Sequence, residues 1–280
     1  MTFNAGLLHL LGKRVAPAPH VDERLAALAP ALLDSGADVI ALQEIYDERH
    51  RRLLVEALAA VYPHVCALRR TRSFGLGSGL MTLSKQPHEA TLLVYQHASL
   101  DERLFGEKAA QLLRMTFGKK RVTLANTHLT AGGVFWHPER SSMDRIRDLQ
   151  IDQLVTALRS ADTDIMLILG DFNTGPGVSQ SNYARLLELG FIDLHAWMKP
   201  KSNEVTWEPW NPLNRNGPHR TSPPQRIDHV LVRAADLRSG LVKPLGVDIV
   251  YREALVQTRS GEVTLSDHYG VRVHVRLGRP

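Results

Sequence analysis

Time and again along this chain a short apolar run stops on an acid, an amide or an imidazole. "FNAG" presents Asn4, "IALQE" presents Glu44, "ANTH" presents His128, and "LGDFN" presents Asp171 and Asn173. "RIDHV" then offers Asp228, and "LSDHYG" offers Asp267 and His268. One such ending is ordinary, because strands must stop and Asp and Asn favour turns. Six of them, each with a side chain able to bind a metal or move a proton, point to strands that deliver their ends to one place. "IMLIL", residues 165–169, is a rigid post of this kind, carrying Asp171 and Asn173 at its carboxyl end.

Helix and strand signals alternate between these runs. Residues 22–36 place Leu25, Leu28, Ala29, Leu32 and Leu33 on one helical face, with Asp22 as N-cap, Gly36 as stop and a kink predicted at Pro30. "DVIAL" (38–42) has the continuous apolarity of a strand covered on both faces. A second helix is predicted from Asp47, carrying Leu53, Leu54, Ala57, Leu58 and Val61. Short strands follow in "HVCALR", "SGLMTLS", "ATLLVY", "QLLRMTF" and "RVTLANTHL". Helices over 142–158 and 179–189 flank "DIMLIL", and "RIDHVLVR" and "VRVHVRL" supply the last strands. Many strands with helices between them argue a sheet sandwich covered by helices.

A chain of 280 residues can bury one sizeable core, and 44% hydrophobic with 22% charged residues is the balance of a globular protein. There is no repeat or low-complexity segment, so a single domain over 1–280 is expected. No apolar stretch is long enough to cross a bilayer, and the first residues lack a signal peptide's basic start and cleavage site. The default location is therefore cytoplasmic, and the lone Cys66 reads as an inert buried thiol. A net charge of +5 suits a phosphate-bearing partner, with the arginines gathered only in "RRTR" (69–72) and "HRTSPPQR" (219–226). The Pro- and Asn-rich stretch 199–226 is long enough to be functional or disordered.

In order and combination, "LQE", "NTH", "GDFN", "RIDH" and "SDH" resemble the motif series of the endonuclease/exonuclease/phosphatase (deoxyribonuclease I-like) superfamily over nearly the whole chain. The resemblance implies an α+β fold of four layers, two packed and mainly antiparallel β-sheets flanked by helices, with the site at one edge. It implies a metal-dependent phosphodiesterase in which water attacks a phosphoester. Glu44 offers a hard carboxylate oxygen and Asn4 a neutral carbonyl oxygen, a pairing suited to Mg²⁺, with Mn²⁺ able to substitute. Asp267 is expected near that metal or at a second metal position. The family's pattern makes Asp171 the group that orients or deprotonates water and Asn173 a donor to a phosphate oxygen. His268, oriented by Asp228, would shuttle a proton or meet phosphate as a cation, and His128 would touch the phosphate or protonate the leaving group. His229, on the opposite strand face from Asp228, reads as a packed neighbour.

Several segments are similar to the neutral sphingomyelinase branch: "FGLGSGLMTLSK", "LFGEKAA" and "VTWEPWNPLN" before "PPQRIDHV". Ala109 departs from that branch, where glycine would follow the lysine, and so do the missing hydrophobic anchor and a very short first strand that leaves room for an upstream start. The expected partner is thus a phospholipid, with peripheral membrane contact and a monomeric enzyme. The alternative is a DNA endonuclease or exonuclease, with the two arginine clusters on backbone phosphates and Trp207 or Trp210 stacking on bases. Both tryptophans also suit a lipid interface or plain packing of the loop. A catalytically dead phosphate-binding relative is a third reading, disfavoured because every motif residue is present.

Overall fold

The computed structural model describes residues 1–8, 18–68, 76–131, 140–217, 219–253 and 255–278. Its elements run β1 (Thr2–Asn4), α1 (Val21–Asp34), β2 (Val39–Gln43), α2 (Glu48–Leu58), β3 (His64–Cys66), β4 (Met81–Ser84) and β5 (His88–Val94). Next come α3 (Leu100–Phe105), β6 (Ala109–Phe117), β7 (Lys120–His128), α4 (Arg140–Arg159), β8 (Ile165–Asp171), α5 (Gln180–Glu188), β9 (Phe191–Asp193) and α6 (Leu194–Met198). The rest are β10 (Asp228–Arg233), α7 (Ala234–Arg238), β11 (Val242–Val250), β12 (Leu255–Thr258), β13 (Gly261–Thr264) and β14 (Gly270–Leu277).

The strands form two six-stranded sheets, β11-β14-β1-β2-β4-β3 and β5-β6-β7-β8-β10-β9, beside the small hairpin β12-β13. Each large sheet has one parallel pair at its centre, β1 with β2 and β7 with β8, and antiparallel neighbours around it. A parallel pair sends two carboxyl ends to the same edge, and an antiparallel neighbour begins where they stop. In the second sheet His128 and Asp228 both lie opposite Asp171 in register. The layering is the expected four-layer sandwich.

Three apolar clusters hold the layers. Leu25, Leu28 and Leu32 of α1 pack with Phe3, Ile40 and Leu42 on the outside of the first sheet. Ala41, Leu124, Leu169, Val230 and Val271 fill the space between the sheets. Ile151, Leu154, Val155 and Leu158, at helical spacing on α4, cover Ala125, Met166 and Ile168 of the second sheet. β8 is buried on both faces, which is why its sequence is continuously apolar.

The structure corrects several details. α1 begins after His20, which lies in the left-handed region, and Asp22 sits in the first turn rather than at the cap. Leu33 is exposed and Arg24 turns inward instead, because the loops carrying Ala5 and Leu265 offer it carbonyl oxygens. In α2 the buried face is His50, Arg51, Leu54 and Leu58, while Leu53 is exposed and Val61 lies beyond the helix. Asp47 does cap it, accepting from the Arg49 amide at 2.6 Å. Cys66 is buried, and burial pushes its thiol up to about 11. No helix among the described residues is long and apolar enough to cross a membrane.

Candidate active site

The carboxyl ends of the central strands meet between the sheets. Asn4, ending β1, donates from Nδ2 to Asp171 Oδ2 at 3.0 Å and to Glu44 Oε1 at 3.2 Å, so one amide ties the two sheets' acids together. Its Oδ1 accepts from the Gly6 amide at 3.0 Å. The carbonyl oxygen expected to face a metal is therefore held by the turn that follows β1. That turn needs glycine: a Cβ on Gly6 would lie 2.2 Å from Asp267 Oδ1. Gly170 is equally constrained, since a Cβ there would lie 1.9 Å from the Thr127 carbonyl oxygen. Only glycine lets β8 approach β7 closely enough to set Asp171 beside His128.

Glu44 and Asn173 adopt positive φ, 61° and 51°. Asn accepts this conformation readily, and Glu does so at a strain cost typical of functional sites. Asn173 braces more than it reaches out. Its backbone amide donates to Asp171 Oδ1 at 2.9 Å and its Nδ2 to the Leu129 carbonyl at 3.1 Å.

Two histidines flank Asp171 Oδ2, His128 Nε2 at 3.6 Å and His268 Nε2 at 3.9 Å. His268 Nδ1 donates to Asp228 Oδ2 at 2.9 Å, which fixes the ring. Burial opposes a charge on His268, but Asp228, Asp171 and Asp267 outweigh it and hold the imidazolium well above the usual histidine range. His128 goes the other way. Burial, followed by the fields of Lys108 and His268, holds it well below the usual range and hence neutral. The two imidazoles thus face one carboxylate in opposite protonation states. Burial and then Asp228 push Asp171 up to about 6, and burial and then Asp267 push Glu44 up to about 7.

Asp171, Asp228 and His268 bring ligand atoms within 4.8 Å of one another, a grouping able to hold a metal ion. Glu44 and Asp267 add two more carboxylates at the same edge, and the nearby Lys108 is already paired with Glu102 at 3.3 Å. Asp228 Oδ1 and His128 Nδ1 are buried without a partner. Excess carboxylate oxygen with orphaned buried donors and acceptors is the chemistry that a hard divalent cation and a phosphate satisfy.

Residues not singled out from the sequence hold these groups in place. Arg24, fully buried, directs its N–H groups at the carbonyls of Ala5, Gly6, Ala18, Pro19 and Leu265, clamping the Asn4 turn to the segment before Asp267. Thr206 Oγ1 accepts from the amides of Ile227 and Asp228, and its carbonyl accepts from Tyr269. Asn211 and Asn214 donate to the carbonyls of Ser266 and Asp267. Residues 206–214 are therefore a strap over the "SDH" turn. Trp207 is buried and bridged to His268 within it, whereas Trp210 stays 56% exposed.

Other sequence readings resolve in the same way. His229 is the packed neighbour expected, bonded to Asp193 Oδ2 at 3.0 Å and the Thr174 carbonyl at 2.8 Å. Arg226 is buried in an ion pair with Asp193, so this end of "HRTSPPQR" has no charge left for a nucleic-acid backbone. "RRTR" lies outside the described residues. "GSGL" braces the site, because the Gly79 carbonyl accepts from the Ile45 amide at 2.8 Å.

Comparison with known proteins fits this geometry. Residues 1–268 match the model of the Endonuclease/Exonuclease/phosphatase family. A putative neutral sphingomyelinase of Drosophila melanogaster is 27% identical over 282 residues, covering 96% of this chain and 61% of the relative. The chain thus spans about three fifths of that relative's length. Among solved structures, a beta toxin variant from Staphylococcus aureus with bound magnesium ions superposes at a TM-score of 0.77, with 16% identity, 98% of this chain and 97% of the other covered. The D. rerio protein TDP2, complexed with a single-strand DNA product, superposes at 0.72 with 17% identity and the same coverage of each chain.

Proposed function

The chain belongs to the endonuclease/exonuclease/phosphatase family, and we propose that it is a Mg²⁺-dependent phosphodiesterase that releases the head group of a sphingomyelin-like phospholipid. The observation that carries the reaction class is Asp171 Oδ2, set between a neutral His128 at 3.6 Å and a charged His268 at 3.9 Å. A carboxylate whose proton affinity is raised to about 6 is a competent base near neutral pH. In this reading Asp171 takes a proton from the attacking water as the new phosphorus–oxygen bond forms. His268 then gives its proton to the departing oxygen as the old bond breaks. His128 donates a hydrogen bond to a phosphate oxygen, and general acid-base steps of this kind contribute roughly 10² to 10⁴ in rate.

Glu44 and Asp267 are the residues we assign to the cation, with Asn4, whose Oδ1 is held by the Gly6 amide, positioning Glu44 from its Nδ2 at 3.2 Å. Bound there, Mg²⁺ would supply Lewis-acid neutralisation of phosphate charge. Asn173 acts through Asp171 and Leu129, which it braces.

The lipid assignment rests on the similarity to the putative neutral sphingomyelinase and on the "GSGL" and "TWEPWNP" segments. The nuclease reading draws on the likeness to the DNA-bound TDP2 fold and loses support with Arg226 sequestered and Trp207 buried. The test is Mg²⁺-dependent phosphocholine release from sphingomyelin in detergent micelles, with His268→Ala as blank. Release that vanishes in the variant is expected. No release from folded, metal-loaded protein overturns the lipid assignment and moves the search to nicking of supercoiled DNA.

A further inference from the structure

We propose that Leu100, Arg103 and Leu104 on α3, together with Trp210 on the strap, form the surface by which the protein seats on a phospholipid bilayer. This rests on the lipid reading above. α3 turns its acids inward: Asp101 accepts from Ser99 Oγ at 2.6 Å, and Glu102 is held by Thr130 Oγ1 at 2.7 Å, by the Ala131 amide at 3.1 Å and by Lys108. Leu100 and Leu104 are left outside at 68% and 65% exposure, the most exposed large apolar side chains among the described residues. Arg103 is exposed beside them. Spacing of i, i+3 and i+4 puts all three on one helical face.

A helix that meets only water shows the reverse, with charged groups out and leucines in. Leucines outward beside a guanidinium, with the carboxylates removed, suit the bilayer interface, where apolar side chains enter the acyl boundary and the cation meets lipid phosphates. A nucleic acid would instead require a field of cations, and this face has one arginine and two leucines.

The placement agrees. Glu102 ties α3 to Thr130 and Ala131, just past His128, so the helix stands at the edge of the site on the second sheet's side. Trp210 precedes Asn211, which holds the Ser266 carbonyl, and so stands on the first sheet's side. Indole is at home at the level of lipid head groups. Apolar contacts on both sides of the site would bring its opening down onto a phosphodiester lying in the membrane surface.

The test is co-sedimentation of the full chain with vesicles of sphingomyelin and phosphatidylcholine, in chelator so that nothing is turned over. Hydrolysis of soluble bis(p-nitrophenyl) phosphate with Mg²⁺ checks that each variant is folded. The expected result is that L100S/L104S lowers vesicle partitioning about tenfold or more and W210A several-fold, with soluble-substrate turnover unchanged, because each buried apolar group adds to interfacial affinity. Variants that partition like wild type, or wild type that stays in the supernatant, overturn the proposal. Vesicle binding through this face without phosphocholine release would sink the substrate assignment alone, and release from micelles without vesicle binding would sink this surface alone.

Discussion

Gln43 Nε2 donates to Asn126 Oδ1 at 2.8 Å across the gap between the two sheets, one residue before Glu44 and two before His128. Asn126 Nδ2 in turn reaches the carbonyls of Leu42 and Met81 and the Thr82 hydroxyl. Both amides are fully buried, so each satisfies groups that would otherwise be stranded. Asn126→Ala should cost about 2 to 4 kcal/mol in urea unfolding, because Gln43 and a set of backbone groups lose their partner. Gln43→Leu/Asn126→Leu should cost less than the sum of its single changes, and strict additivity would contradict the coupling.

The Asp228–His268 pair makes a prediction about pH. With the Asp228 charge removed, the main force holding His268 above the ordinary range is gone and burial prevails. In Asp228→Asn the imidazolium then loses its proton at lower pH, and the alkaline limb of kcat/KM against pH should move down. An unmoved limb would make the pair a structural tie only.

Metal binding should also titrate. Glu44 is pushed up to about 7 in the metal-free protein and must be ionised to ligate, so Mg²⁺ affinity should rise with pH by about tenfold per unit below that point and level off above it. Isothermal calorimetry at several pH values reads this directly. Glu44→Gln should abolish the binding and its pH dependence, while His268→Ala should retain most of the affinity, which separates our cation site from the Asp171, Asp228 and His268 grouping.

Arg24 tests the clamp behind the site. Lysine keeps the charge but cannot serve so many carbonyl oxygens from one planar group. Arg24→Lys should lower stability by about 2 to 4 kcal/mol and reduce turnover through a misplaced Asp267, with chemical denaturation and Mg²⁺ affinity as the two readouts.

What could be read from the sequence was what chemistry writes into residue type. Asp171 ends β8, Asp228 opens β10 and His268 lies just before β14, and each stands out as a polar interruption of an apolar run. Gln43 and Asn126 sit inside the same motifs, yet nothing local says that their amides meet across 83 positions. Arg24 resembles any surface arginine of an amphipathic helix until the loops that need it are in place. The exposed Leu33 and Leu53 misled for the opposite reason: periodicity reports a face, and the neighbouring layer decides where that face ends. Trp207 and Trp210 are three positions apart, and it is Trp207 whose backbone bridges to Gln225 and His268 while Trp210 is left exposed.

β14 enters the first sheet between β11 and β1, so the strand beside the earliest one is the last of the chain order. Ser266 Oγ donates to the Asn4 carbonyl at 2.7 Å across 262 positions. The second sheet, with His128 and Asp171, has all its strands once residue 233 is made, while the first must wait for β14. Contacts this distant in sequence form slowly. The groups on the second sheet therefore meet Asp267 and His268 only once β14 has taken its place beside β1.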